Sequence, residues 1–199
     1  MIFRFIAAAL AIAGLGACTA AEIPYDQEIA AWRADKDRFM RESSESPVVA
    51  ADRASFPPLA YYPINQEYRV PASLTVARAD DILEMQTSTG QRRKMQRIGA
   101  LEFTVKGQPL KLTAFAEAND TELRRLFVPF HDLTNGSETY PGGRYLDLDR
   151  TATGVYDLDF NRAYHPFCVF NATYDCPVPP RENRLPLPIR AGETLGRPK

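Results

Sequence analysis

After the first twenty residues, large apolar side chains recur along the chain at intervals of three and four. Tyr25, Ile29, Trp32 and Phe39 form one stripe, and acidic and basic residues fill most of the positions between them. This spacing places the apolar side chains on one face of an α-helix. A short stretch rich in serine follows and ends in a proline, which disfavours helix. The pattern therefore predicts a helix over about residues 25–41.

Beyond residue 60 the pattern changes to short segments in which apolar and polar residues alternate. Alternation with a period of two is typical of strands that bury one face. Turn residues at Ser88–Gly90 and Lys106–Gly107 separate two pairs of these segments and indicate hairpins. The predicted strands cover residues 68–76, 82–87, 94–99, 100–105, 109–115, 126–130, 144–148, 153–160 and 185–189.

One leading helix followed by many short strands predicts a mainly β protein, formally α+β. Short strands at close spacing are typical of a β-sandwich or an open β-barrel of antiparallel strands. The chain has no internal repeat, and no domain boundary is apparent after residue 50. Residues 25–199 are therefore predicted to form one domain.

The first 18 residues have the pattern of an export signal. Arg4 precedes an apolar run that is too short to span a bilayer, and the segment Leu15-Gly16-Ala17-Cys18 ends this run. The segment resembles bacterial lipoprotein signals. That resemblance implies that residues 1–17 are removed, that Cys18 is lipidated, and that residues 18–24 include a short tether. The alternative is an ordinary signal peptide with a cysteine near its cleavage site by chance.

The lipoprotein interpretation also predicts where the protein resides. Two or three acyl chains on Cys18 would hold it stably at a membrane, because each buried methylene contributes about 0.8 kcal/mol. By the same resemblance, the non-acidic Thr19 favours the outer membrane of a two-membrane bacterium, facing the periplasm.

Composition narrows the range of partners. A net charge of −1 gives no sign of nucleic-acid binding, and no second apolar run is long enough to cross a membrane. We therefore expect a monomer that meets the membrane through its lipid, needs no cofactor, and binds a small molecule or an envelope protein.

With Cys18 assigned to lipid, Cys168 and Cys176 remain. An even pair of cysteines in an exported protein predicts a disulfide, worth about 2–3 kcal/mol for so short a loop. The alternative is a metal site that joins both thiols to His165, with His131 as the candidate fourth ligand. An oxidising compartment disfavours free thiolates, so the disulfide is favoured and no metal is expected.

The densest polar region of the chain lies between residues 131 and 183. A family resemblance is carried by the segments Leu126–Asp147, Asp159–Cys168, Tyr174–Leu185 and Ile189–Glu193, with Arg38-Phe39, Ser46-Pro47 and Tyr62–Ile64 upstream. Through these segments the chain resembles a bacterial family named domain of unknown function 1684. His131 and His165 stand where we expect arginine and asparagine from the family pattern.

Five residues of this region are candidates for chemistry: Asp132, Arg144, Asp159, Asn161 and His165. A carboxylate with an orienting neighbour can act as a general base, and an arginine after two glycines can hold an anionic group. The chain lacks the common motifs of catalytic nucleophiles. A binding or interaction module is therefore predicted, and the alternative is a small hydrolase-like enzyme that uses this carboxylate and arginine pocket.

A structural role competes with both functions. Arg144 can instead pair with a carboxylate inside the sheet. If the candidate residues converge in an open pocket, a ligand or a reaction is favoured. If they are buried and satisfy one another, they support the fold.

Overall fold

The computed structural model describes residues 23–120 and 122–196. The signal segment and Cys18 lie outside these residues. The described chain begins with helix α1 (Tyr25–Glu42), so the predicted helix is confirmed. Its residues Ile29 and Met40 are buried. No helix within the described residues is long and apolar enough to cross a bilayer.

Nine strands follow the helix in the described part of the chain. Most of them agree with the predicted segments within about two residues, as expected where alternation is clear. Their bounds are β1 (Ala60–Tyr61), β2 (Arg69–Val76), β3 (Ile82–Gln86), β4 (Arg92–Val105), β5 (Gln108–Glu117), β6 (Arg125–Phe130), β7 (Arg144–Asp149), β8 (Val155–Asp159) and β9 (Glu193–Thr194).

Seven of these strands form one antiparallel sheet in the order β7-β6-β5-β4-β2-β8, with β3 paired to β4. The sheet curls into a nearly closed barrel, so the mainly β class with a leading helix is confirmed and the open-barrel form is correct. β1 and β9 form a separate two-stranded ribbon. Apolar residues of alternate positions fill the barrel, including Leu101, Leu112, Leu126 and Leu158.

Two predicted strands are corrected. Segments 94–99 and 100–105 belong to the single strand β4, in which a register shift between Arg97 and Gly99 reverses the alternation. A side chain at Gly99 would meet the carbonyl oxygen of Thr75 at 2.4 Å, so the bulge requires glycine.

Segment 185–189 is not a strand, although it has the alternation of one. Leu185 and Ile189 are buried against the barrel, and Leu185 N–H donates to the carbonyl oxygen of His131. The N–H of Ile189 donates to a side chain, the carboxylate of Asp132. The alternation in this segment therefore indicates that one face is buried. It does not indicate a strand, because no neighbouring strand forms a ladder of hydrogen bonds with it.

Candidate ligand-binding site

Arg144 and Asp132 form an ion pair in the interior. Arg144 begins β7, Asp132 follows β6, and both side chains are completely buried at an N–O distance of 2.8 Å. Arg144 also donates to the carbonyl oxygens of Ile189, Ala191 and Glu193. The arginine thus fixes the C-terminal segment to the barrel and leaves no charged group for a ligand.

Asp159 and Asn161 belong to a second buried network, which fixes the start of α1. The hydroxyl of Tyr25 donates to both carboxylate oxygens of Asp159 at 2.9 and 3.0 Å. The amide of Asn161 donates to Tyr25 and to the carbonyl oxygen of Asn65, and its own oxygen accepts from the N–H of Asn65. Both residues are therefore satisfied by hydrogen bonds within the fold.

His165 lies in a third buried group. Its backbone N–H donates to Glu193 Oε2 at 2.7 Å, and its ring Nε2 accepts from the backbone N–H of Tyr140 at 3.3 Å. Glu193 Oε1 pairs with Lys36 Nζ of α1 at 2.5 Å. Burial lowers the pKa of His165 to about 3, with Arg144 and Lys36 contributing, so the ring is neutral.

The five candidates therefore do not converge in one open pocket. Their hydrogen bonds give Asp132, Arg144, Asp159, Asn161 and His165 structural roles, and a catalytic use of them stays a prediction. His131, the other histidine, is half-buried and contacts the side chain of Asn135.

The predicted disulfide is wrong for this structure. Cys168 and Cys176 are free thiols, and the N–H of Cys168 donates to Cys176 Sγ at 3.1 Å. Burial raises the pKa of Cys176 to about 12. Among the described residues, no group of three or more histidine, cysteine and acidic side chains is arranged to hold a metal.

A cavity lies where the barrel fails to close. β7 and β8 are consecutive antiparallel strands joined by residues 150–154, yet they form the two edges of the sheet and are not paired with each other. Between them is a cavity of about 510 Å³, here called the wedge. Its walls are Trp32, Arg125, Leu146, Asp147, Leu148, Asp149, Thr151, Tyr156, Asp157, Asp159, Arg162 and Tyr164.

A second cavity of about 430 Å³ adjoins the wedge, and both contain Arg125, Asp147 and Tyr164 in their walls. We call it the aromatic cavity because four aromatic rings contribute to it besides Tyr164. Those rings belong to Phe127, Tyr145, Phe167 and Tyr174.

Three of the four carboxylates in the wedge have an arginine partner. Asp149 lies 3.5 Å from Arg125, Asp157 lies 2.7 Å from Arg69, and Asp159 lies 3.4 Å from Arg162. The fourth carboxylate, Asp147, has no cationic group within ion-pair distance among residues 23–120 and 122–196.

The partner of Asp147 is the hydroxyl of Tyr164, which donates to Asp147 Oδ2 at 2.8 Å. The ring of Tyr164 also contacts a cation, because Lys36 Nζ lies 4.2 Å from the centre of this ring.

The electrostatics of Asp147 differ from those of an ordinary surface carboxylate. The side chain of Asp147 is exposed, although it lies between two cavities whose walls remove part of its hydration. This partial desolvation raises the pKa of Asp147, although the hydrogen bond from Tyr164 and the charges of Arg125 and Lys36 act in the opposite direction. A cation bound beside Asp147 would stabilise its charged form further.

Sequence reasoning assigned Asp147 to a strand but gave it no function. One signal was available: the triplet Asp-Leu-Asp occurs at 147–149 and again at 157–159, at equivalent positions of two consecutive strands. No such signal in the sequence indicates that Trp32 and Tyr164 line the wedge. Trp32 in particular is distant in sequence, and the packing of α1 brings it to the site.

The site lies almost entirely in the part of the chain that matches a family model. Residues 54–194 match the family described as "Protein of unknown function (DUF1684)". The chain belongs to this family. Asp147 and Tyr164 lie inside the part that matches DUF1684, whereas Trp32 precedes it.

A solved structure is similar to this DUF1684 chain. It is the solution NMR structure of an uncharacterized protein from Haloarcula marismortui, which is 37% identical and has a TM-score of 0.68. The similarity covers 87% of this chain and 96% of that one. No curated protein matches the chain.

Proposed function

We propose that this protein is a binding module and that its ligand carries a cationic group that pairs with Asp147. The observation that carries the proposal is that this carboxylate has no ion-pair partner among the described residues. It belongs to the walls of both cavities and, within the described residues, lacks the arginine partner that Asp149, Asp157 and Asp159 each have. A ligand cation would supply the missing charge.

The surroundings of Asp147 suit a ligand with an apolar or aromatic body. Trp32 and Tyr156 line the wedge, and Phe127 and Tyr145 line the aromatic cavity. Aromatic faces attract both apolar groups and cations. Binding sites of this kind combine apolar walls with a few polar groups that fix the orientation of the ligand.

The binding function is proposed to operate at a membrane. The pattern Leu15-Gly16-Ala17-Cys18 supports a bacterial lipoprotein, anchored by Cys18 and facing the periplasm from the outer membrane. The seven peptide units from Cys18 to Tyr25 extend at most about 25 Å. Tyr25 contacts Asp159 in the wall of the wedge, so the ligand would bind close to the bilayer surface.

The cation-binding proposal is tested with 2-phenylethylamine and its neutral analogue 2-phenylethanol. Trp32 is the sole tryptophan of the chain, so its fluorescence reports on the wedge. We expect the amine to change this fluorescence and to raise the melting temperature, and the alcohol to bind at least about tenfold more weakly. Affinity for the amine should rise with pH as Asp147 loses its proton.

Two variants test whether the preference for the amine depends on Asp147 itself or on the overall negative charge of the protein. Asp147→Asn should abolish the preference for the amine over the alcohol. Asp149→Asn, the matched control on the same strand, should keep the preference because Arg125 already neutralises Asp149. Equal affinity of the native protein for both compounds would refute the proposal.

The anchor is tested separately. Labelling with radioactive palmitate should mark the native protein and should not mark a Cys18→Ser variant. Unchanged labelling and unchanged partition into detergent in this variant would contradict lipidation at Cys18.

A further inference from the structure

We propose that the cationic ligand is an extended peptide that adds a strand to the free edge of β7, inside the wedge. This inference rests on the proposed cation-binding function and makes its ligand more specific. It starts from the backbone of β7 and β8, whose outer edges face each other without pairing.

The hydrogen-bond alternation of β7 identifies the backbone groups that are free. Arg150 N–H donates to the carbonyl oxygen of Arg124 on the β6 side, whereas Tyr145 exchanges both of its bonds with Tyr164 on the outer side. In antiparallel sheets successive residues alternate between the two sides. The N–H and C=O groups of Asp147 and Asp149 therefore face the wedge, and they have no hydrogen-bond partner in the described structure.

The same argument applies to β8. Leu74 N–H of β2 donates to the carbonyl oxygen of Gly154, so the backbone groups of Asp157 are directed away from β2 and toward the wedge. Unpaired edge groups on both sides of a cavity are the feature that strand addition uses, because main-chain hydrogen bonds supply the affinity.

Side chains at the edge specify the sequence of the added strand. Leu146 and Leu148 line the inner face of the wedge, while Asp147 is on the opposite face of β7. Directly opposed residues of neighbouring strands place their side chains on the same face. The added strand therefore needs a lysine or arginine opposite Asp147 and an apolar residue on each side of it.

The competing explanation is that the carboxylates only protect an exposed edge from self-association. Charge pairing distinguishes the two ideas. Asp149 and Asp157 are neutralised by Arg125 and Arg69, so the acidic character of the edge is concentrated at Asp147. A protective edge would exclude every added strand, while a binding edge accepts one with a single central cation.

The test uses the blocked peptide acetyl-Thr-Val-Lys-Val-Thr-amide and amide hydrogen exchange of the full protein. We expect the peptide to slow exchange of the Asp147 and Asp149 amides about tenfold, since each gains a hydrogen bond. The amides of Leu146 and Leu148, which already bond to β6, should change less than about twofold.

Matched peptides separate strand pairing from charge attraction. Methylation of the lysine backbone nitrogen removes the donor opposite Asp147 and should weaken binding about tenfold. A glutamate in place of the lysine should abolish binding. If methylation has no effect, or the two aspartate amides exchange at unchanged rates while 2-phenylethylamine still binds, strand addition is refuted and cation binding stands. If neither the peptide nor the amine binds, both proposals fail.

Discussion

Because Arg144 is buried, the effect of replacing it on the free energy of unfolding can be predicted. The change Arg144→Met keeps an apolar stem of similar length but removes the charge and four hydrogen bonds, one to Asp132 and three to backbone carbonyl oxygens. The carboxylate of Asp132 stays in place, completely buried, with only backbone N–H groups as partners.

The expected cost follows from these contacts. Removing one member of a buried ion pair costs about 3–5 kcal/mol, since the other charge is left uncompensated. Carbonyl oxygens that lose their donors add on the order of 1 kcal/mol each when they stay buried. We therefore expect Arg144→Met to lower the free energy of unfolding by at least about 4 kcal/mol. For a domain of this size that corresponds to a fall of roughly 10 °C in Tm.

Urea denaturation measures this difference directly. Arg124→Met is the matched control, because Arg124 pairs with Glu122 on the surface, and it should cost less than about 1 kcal/mol. The double variant Asp132→Asn with Arg144→Met should recover part of the loss, since the buried charge is gone. A loss below about 1 kcal/mol for Arg144→Met would refute the structural role of the pair.

Three further predictions concern the fold. In a chain that begins after the proposed anchor, Ellman's reagent should titrate both Cys168 and Cys176 in urea without reductant, and an absence of free thiols would contradict the structure. Folding lowers the pKa of His165 from 6.5 to about 3, so the folded protein favours the neutral ring. The contribution of His165 to the free energy of unfolding should therefore be complete above about pH 6.5. Below that pH it should decline by at most about 1.4 kcal/mol per pH unit. Replacing His165 with asparagine should flatten the stability profile between pH 6.5 and 4. Gly192→Ala should destabilise at least about 2 kcal/mol more than Gly90→Ala in urea, because both have positive φ but only a Cβ at Gly192 meets backbone atoms within 3 Å.

The sequence was sufficient to predict the fold class. The helix and most strands were predictable because each buries one face, and the periods of 3.6 and two are visible directly in the residues. Prediction failed where the alternation of apolar and polar residues does not match the backbone hydrogen bonds between strands. The bulge near Gly99 joins two apparent strands into one, and the segment around Leu185 is buried on one face without a neighbouring strand.

The site was only partly predictable. The sequence shows that polar and charged residues are concentrated after residue 131, but whether each one finds a partner depends on tertiary contacts. Arg144 and Asp132 are 12 residues apart and completely buried together, while Asp147 remains without a cationic partner in the described structure. No local pattern distinguishes these two aspartates, because the difference arises from which arginine the barrel brings near.

The most direct test of the proposed function is a carboxyl-carbon NMR titration of Asp147, with and without 2-phenylethylamine. The account predicts a pKa above the ordinary value of 3.8 in the free protein and a fall toward or below that value when the amine is bound. An ordinary pKa in the free protein that is also insensitive to the amine would contradict it.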